Sequence, residues 1–244
     1  MFEDVNISRR LKDSPLQNLT LEIFFDTGIS LENLYGKLYS GLFENFCTTV
    51  QTLPLSQIPQ IIRESDPNLK YQPIYRCEDN NHHVILLGQH SLAFEHLSPY
   101  SNWTDWSASF YPKIKSFLEL GKIKSVNRLR LRSTDVFPVN VVEKLNINVS
   151  VNQESIHTAP LFVSTEIHIG DNKASFELRT SKFVPKLFGK NIQCSLTINS
   201  SKEFNDKVLL SFDDYKKEVE LLHDNNKRVF WGLTEKLYGE EDCQ

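Results

Sequence analysis

From Lys144 onward the sequence alternates short extended arms with turn-forming residues, and this constrains the fold more than any other feature. Arms are read at roughly 144–153, 161–169, 173–180, 192–199 and 207–212, with Gly170-Asp171-Asn172 as the clearest hairpin turn. Arms joined by such short turns pair antiparallel, because a parallel pair needs a crossover of a dozen or more residues. The chain then changes period. From about Asp213, residues Tyr215, Val219, Leu222, Asn226, Phe230, Leu233 and Leu237 form the stripe of a closing helix.

The first half carries the same two periods. Leu19-Thr20-Leu21-Glu22-Ile23-Phe24-Phe25 reads as a strand that ends at the turn signal Asp26-Thr27-Gly28. Ser30 is placed to cap a helix whose apolar stripe is Leu31, Leu34, Tyr35, Leu38 and Leu42. An extended segment at 46–53 follows, then a proline-punctuated stretch (Pro54, Pro59, Pro67, Pro73) with room for one short helix near 58–64. Residues 74–97 read as a hairpin around Asp79-Asn80-Asn81 plus a further strand. Tyr100, Trp103, Trp106, Phe110, Ile114 and Phe117 are spaced for a longer helix, and Pro112 within it predicts a kink or a split. Strand-like runs fill 125–151, with a break at Pro138.

Strand and helix blocks are segregated more than strictly alternated, which predicts an α+β fold: antiparallel sheets, with a meander in the second half, packed on a few helices including a C-terminal one. With 244 residues the chain is expected to be a single α+β domain, or two intimately packed sub-domains dividing near residue 140. A chain of this length buries roughly 70–75% of its unfolded surface and needs no covalent staple. The halves share a loose strand, helix and meander rhythm, too weak in residues to define a repeat.

Charge and cysteine usage narrow the function classes. A formal charge of -4 does not mark the whole molecule as a polyanion binder. Cys47, Cys77, Cys194 and Cys243 are far apart, and no pair has the CxxC spacing of zinc or redox sites. The opening Met-Phe-Glu-Asp-Val-Asn is unlike a secretory signal, and no stretch approaches the ~20 apolar residues of a membrane span. A cytoplasmic protein without membrane contact is expected, and the Asn-x-Ser/Thr sequons read as composition.

One local feature stands out. Between Lys113 and Arg132 lie Lys113, Lys115, Lys122, Lys124, Arg128, Arg130 and Arg132 against a single acid, Glu119. On a strand, Arg128-Leu129-Arg130-Leu131-Arg132 puts three guanidiniums on one face and two leucines on the other. Guanidinium forks hold phosphate bidentately, so Arg128, Arg130, Arg132 and Lys124 are the candidate ligand-binding residues for a nucleotide, a nucleic acid or an acidic protein tail. The competing reading is structural: the arginines pair with acids on neighbouring strands or solvate that face.

Other chemistry finds no local motif. His82, His83, His90, His96, His157, His168 and His223 include no HxxxH or HExxH pair, so no metal ligand set is assigned. GxSxG, GxxxxGK and GxGxxG are absent, and no catalytic residue or cofactor is assigned. Asp135, just beyond the arginine row, is the one acid worth testing as a site residue. Trp231 falls off the apolar stripe of the last helix, so it and His223 are the candidate interface residues; beside the stripe, His223 reads more as a satisfied, half-buried histidine than as a catalytic base.

Four segments in order carry a resemblance: Pro15-Leu16…Leu21-Glu22-Ile23-Phe24-Phe25; Leu92…Tyr100-Ser101-Asn102-Trp103; Val126-Asn127-Arg128-Leu129-Arg130-Leu131-Arg132; and Leu221-Leu222-His223…Val229-Phe230-Trp231-Gly232-Leu233-Thr234. Together they resemble a sporadically distributed, functionally uncharacterised prokaryotic family of proteins of about this length. The central strand departs from the family pattern, a Leu-Arg-Tyr-Ile-Asn type of run. Arg130 and the closing His223 carry over; the Tyr and Asn do not. The resemblance transfers no activity, and it implies carriage on mobile elements or in defence or toxin–antitoxin neighbourhoods.

The expected function is therefore a non-enzymatic binding or interaction protein that acts with a protein partner or as a homo-oligomer. The alternative is recognition of a phosphate-bearing ligand by the arginine strand. A hydrolase or nuclease assembled from dispersed residues such as Asp135, His223 and the arginines is the third reading.

Overall fold

Two long strands organise the fold. In the computed structural model, β1 (Leu16–Thr27) and β6 (Ile123–Phe137) lie side by side in the middle of a nine-stranded antiparallel sheet. The structure describes every residue except 1, 3, 41–46, 48, 82, 98–99, 101, 157–159, 187–190, 205–208, 210 and 244. After β1 come α1 (Leu31–Leu38), β2 (Thr49–Thr52), α2 (Gln60–Ser65), β3 (Tyr75–Glu78), β4 (His83–Leu87), β5 (Ser91–Leu97) and α3 (Trp103–Glu119). After β6 come β7 (Ser150–Val151), β8 (Glu154–Ser155), β9 (Phe162–Ile169), β10 (Asn172–Thr180), β11 (Cys194–Glu203) and α4 (Phe212–Thr234). The fold is α+β, as the segregated strand and helix blocks predict.

The sheet order is β2-β3-β4-β5-β1-β6-β11-β10-β9, and β7 pairs only with β8. Each long strand thus has the last strand of its own meander beside it, and earlier strands follow outward. Each meander is closed by a long helix, α3 or α4. The repetition that the sequence shows only as a loose rhythm is explicit in this topology.

The chain forms two compact units, and no single cut separates them. The first comprises Thr20–Arg130 and Lys202–Val219; the second comprises Met1–Leu19, Leu131–Ser201 and Glu220–Gln244.

In the first unit, Ser30 caps α1 by accepting from the Asn33 N–H, and Asn102 caps α3 by accepting from the Asp105 N–H at 2.8 Å. The core-facing ring of Phe25 meets Phe117 of α3 edge-on at 5.0 Å, and Phe94 faces Phe110. Pro112 does not split α3, which runs unbroken over 17 residues. The proline and Ala108, whose carbonyl it frees, both sit on the exposed side of the helix. The buried stripe Trp106, Phe110, Ile114 and Phe117 continues past it. Leu42, the last position of the α1 stripe, lies outside the described residues. The extended segment at 46–53 is realised as β2 over Thr49–Thr52, and the short helix near 58–64 as α2.

Cys47 and Cys77, 30 residues apart, form a disulfide with a Cα–Cα separation of 5.5 Å. The absence of CxxC motifs does not reveal such a pair, because loop closure over that distance is set by tertiary contact and not by local spacing.

In the second unit, β10 and β11 pair with Phe176 opposite Ile198 and Leu178 opposite Leu196. Leu178, Leu196, Ile198, Val229 and Leu233 make a core with Phe137, Val141 and Leu145. Each fully buried aliphatic side chain there contributes about 1.5–3 kcal/mol. Gly170, at φ 57, opens the two-residue turn between Ile169 and Asn172, the position where a type II′ hairpin calls for glycine. The arm expected at 144–153 is instead mostly irregular. Asn152 and Gln153 take positive φ (50 and 70), a type I′ pattern that folds the segment into the tiny β7–β8 hairpin. Half of the arm expected at 207–212 (207, 208 and 210) lies outside the described residues, and Phe212 already begins α4.

Candidate functional site

The period-two pattern on β6 is realised. Leu129 and Leu131 are fully buried on the core face, while Arg128, Arg130 and Arg132 are half-buried on the other. What each arginine meets differs.

In the first unit, antiparallel pairing of β1 with β6 sets Glu22 beside Arg130 and Phe24 beside Arg128. Arg130 grips the Glu22 carboxylate with Nε and Nη2 at 2.5 and 2.8 Å, a bidentate charge-assisted pair. The Arg128 guanidinium stacks 3.9 Å from the Phe24 ring centroid, and its Nη1 lies 3.5 Å from Glu203 Oε1. The Tyr71 ring meets Phe24 edge-on at 5.4 Å. Arg128 and Arg130 are therefore held by acids and an aromatic ring, the structural alternative raised for strand arginines. Lys124 is exposed at the start of β6, its stem against Gly28.

Arg132 belongs to the second unit. Among the described residues no carboxylate lies within ion-pair distance of it. The hydroxyls of Thr134 and Thr197 meet at 3.1 Å across β6 and β11, so two residues along the pair Arg132 stands beside Asn199. The face continues outward through Ser175, opposite Asn199, and Glu177 on β10, and through Glu166 and Ser164, their partners on β9. Lys173 pairs with Glu166 at 3.1 Å and Arg179 with Glu177 at 2.6 Å, both local. Within this unit α4 and the aliphatic core take the opposite side of these strands, so the polar side chains form an open face rich in hydrogen-bonding groups.

Asp135 lies on the other side of β6. It is 4% exposed, and burial pushes its carboxyl up to about 7. Beside it, the Tyr238 hydroxyl is also pushed up by burial and by Asp135 and Asp242. Asn226 of α4 donates to the Leu131 carbonyl at 3.3 Å and to Ser133 Oγ at 3.4 Å, leaving its own Oδ1 buried without a partner. The strand separates Asp135 from Arg132, so the two cannot engage one ligand.

His223 is half-buried on α4, and burial together with neighbouring Lys227 pulls its imidazole down to about 3. It is neutral at physiological pH. Trp231 is only 4% exposed despite its off-stripe position. The end of α4 is enclosed on more than one side: Arg9 stacks 4.5 Å from the Trp231 centroid, Tyr238 packs edge-on, and the Phe2 ring occupies the space a Cβ at Gly232 would need. The ring is core material here, not a surface anchor, and this corrects the inference from stripe to exposure. Among the described residues no three His, Cys, Asp or Glu side chains converge as metal ligands would, with His82 and His157 outside that set. No described helix is long and apolar enough to cross a membrane.

Glu22, Glu203 and Phe24, which decide what Arg128 and Arg130 can do, were not singled out by the sequence. They lie about 75–110 positions from their arginines, and only strand order brings them together. No protein-family profile matches the chain, and no curated protein is similar to it in sequence.

Proposed function

We propose that the chain is a non-enzymatic binding protein that works through a protein partner, which docks on the open face formed by β6, β11, β10 and β9 in the second unit. The observation that supports this reading is the composition of that face: Arg132, Asn199, Ser175, Ser164 and the half-exposed ion pairs offer donors and acceptors without a catalytic arrangement. Such a surface suits a polar, hydrogen-bonded interface more than a closed ligand pocket. A cytoplasmic setting, and the mobile-element or defence context implied by the family resemblance, belong to the same reading. The test is capture from the native host with wild-type chain, Arg132→Glu, and Lys216→Glu on the exposed side of α4 as control. A partner retained by wild type and Lys216→Glu but lost by Arg132→Glu supports the reading; equal capture by all three overturns it.

A second reading keeps the phosphate hypothesis but narrows it to Arg132, whose guanidinium has no acid partner among the described residues. Binding of short oligonucleotides or nucleotides would weaken steeply with salt and fall on Arg132→Ala. Salt-independent binding, or none, removes it.

A further inference from the structure

β9 ends the sheet order, and among the described residues no strand pairs with its outer edge. The direction of its backbone groups is readable from the hairpin. The Leu161 carbonyl accepts from the Thr180 N–H at 2.9 Å, and the Leu161 N–H donates to Thr180 Oγ1 at 2.7 Å. Odd-numbered residues therefore point their N–H and C=O toward β10, and Phe162, Ser164, Glu166 and His168 point theirs outward. The strand is eight residues long and holds neither proline nor lysine, two devices by which edges are usually blunted. The strand at the other end of the order, β2, has only four residues and runs into Pro54. On the core-facing side of β9, Val163 and Ile167 remain partly exposed although they pack on the core, as at an edge that leaves apolar surface unfinished.

We propose that β9 is a self-pairing edge: a second copy of the chain adds its own β9 antiparallel and extends the sheet through a two-fold axis. This rests on the reading of the chain as one that works through protein contacts, and it names the partner for one surface. Parity limits the registers, because residues directly opposite must lie on the same face. Centring the axis on Thr165 sets Val163 against Ile167 of the second copy, Ser164 against Glu166, and Phe162 against His168. All four outward-facing residues then sit in hydrogen-bonded pairs, and the apolar residues of the core side meet twice. Centring on Glu166 would set two carboxylates directly opposite, which is destabilising. The Thr165-centred register is the self-complementary one.

Sedimentation velocity across about 1 µM to 1 mM, the range of weak to moderate affinity, tests the proposal. The wild type is expected to shift from monomer to dimer. Ser164→Pro removes an outward-facing N–H and no bond to β10, so it should abolish the dimer while leaving the thermal midpoint nearly unchanged. Ser164→Glu, which faces Glu166 of the second copy at two symmetric positions, should weaken association at least about tenfold, whereas Ser164→Lys should retain or strengthen it. A wild type that stays monomeric throughout overturns the proposal, as does a dimer that Ser164→Glu leaves intact. Should Ser164→Pro fail to fold, the Glu and Lys pair decides alone. Arg132 lies on β6, which β11 and β10 separate from β9 in the sheet order, so a dimer that persists in Arg132→Glu while partner capture is lost separates this inference from the open-face reading.

Discussion

Replacing Asp135 by asparagine should stabilise the protein at alkaline pH and leave it little changed in acid. The buried carboxyl holds its proton up to about 7 in the folded chain, against 3.8 when free in solution. Between those values the unfolded chain has lost a proton that the folded chain keeps, so stability falls as pH rises through this window. The difference of about three pH units corresponds to about 4 kcal/mol at 1.36 kcal/mol per unit. Asparagine has nearly the same shape and no charge, so Asp135→Asn removes that slope. The gain should approach 4 kcal/mol at pH 8 and shrink toward zero at pH 4. His223 works in the opposite sense, because an imidazole held down to about 3 adds stability as pH rises from 3 to 6.5. In the wild type the two slopes nearly cancel between pH 4 and 6.5, and Asp135→Asn should expose the His223 slope. Nearby Tyr238, whose hydroxyl stays protonated, supplies no compensating charge. Urea unfolding from pH 4 to 8, followed by tryptophan fluorescence, measures the difference between variant and wild type. A carbon-13 titration of the Asp135 carboxyl reads its midpoint directly. A midpoint near 4, or a stability difference that does not change with pH, would refute the reasoning.

Two further outcomes separate structural arginines from an available one and check the cysteine pairing. Arg130→Ala leaves Glu22 without its bidentate partner and should lower stability by about 1–2 kcal/mol, while Arg132→Ala should stay within about 0.5 kcal/mol of wild type; equal effects on the thermal midpoint would contradict the assignment. Under non-reducing denaturing conditions, alkylation should label Cys194 and Cys243 only, with two more thiols appearing after reduction; four labelled thiols in protein purified without reductant would show that Cys47 and Cys77 are not joined.

Where the chain turns, and what kind of element follows, was legible in the residues. The caps at Ser30, the hairpin at Gly170, the stripe of α4 from Tyr215 to Leu233 and the two-faced pattern of β6 are all local signals, set by backbone preference and by the periods of helix and strand. Two departures from expectation also turn on single residues along the chain. A proline facing solvent leaves a helix intact, and two positive-φ residues convert an extended arm into a hairpin.

The candidate site was only half legible. The alternation from Arg128 to Arg132 predicts one charged face, yet it does not say which charge is already neutralised. That depends on β1 lying antiparallel beside β6, which delivers Glu22 and Phe24, and on the end of β11, which delivers Glu203. Trp231 shows the same division from the other side. Its place off the stripe is a property of the helix, but its burial is a property of Arg9, Tyr238 and the other groups that close around the helix end. Sequence by itself determined the α+β class and the polar face of the central strand, because both follow from periodicity within a few residues. Tertiary structure alone decided that, among the described residues, no acid stands within ion-pair reach of Arg132 and no strand covers the outer edge of β9, and that Asp135 lies behind the strand in the core. Each of these depends on which distant segments become neighbours.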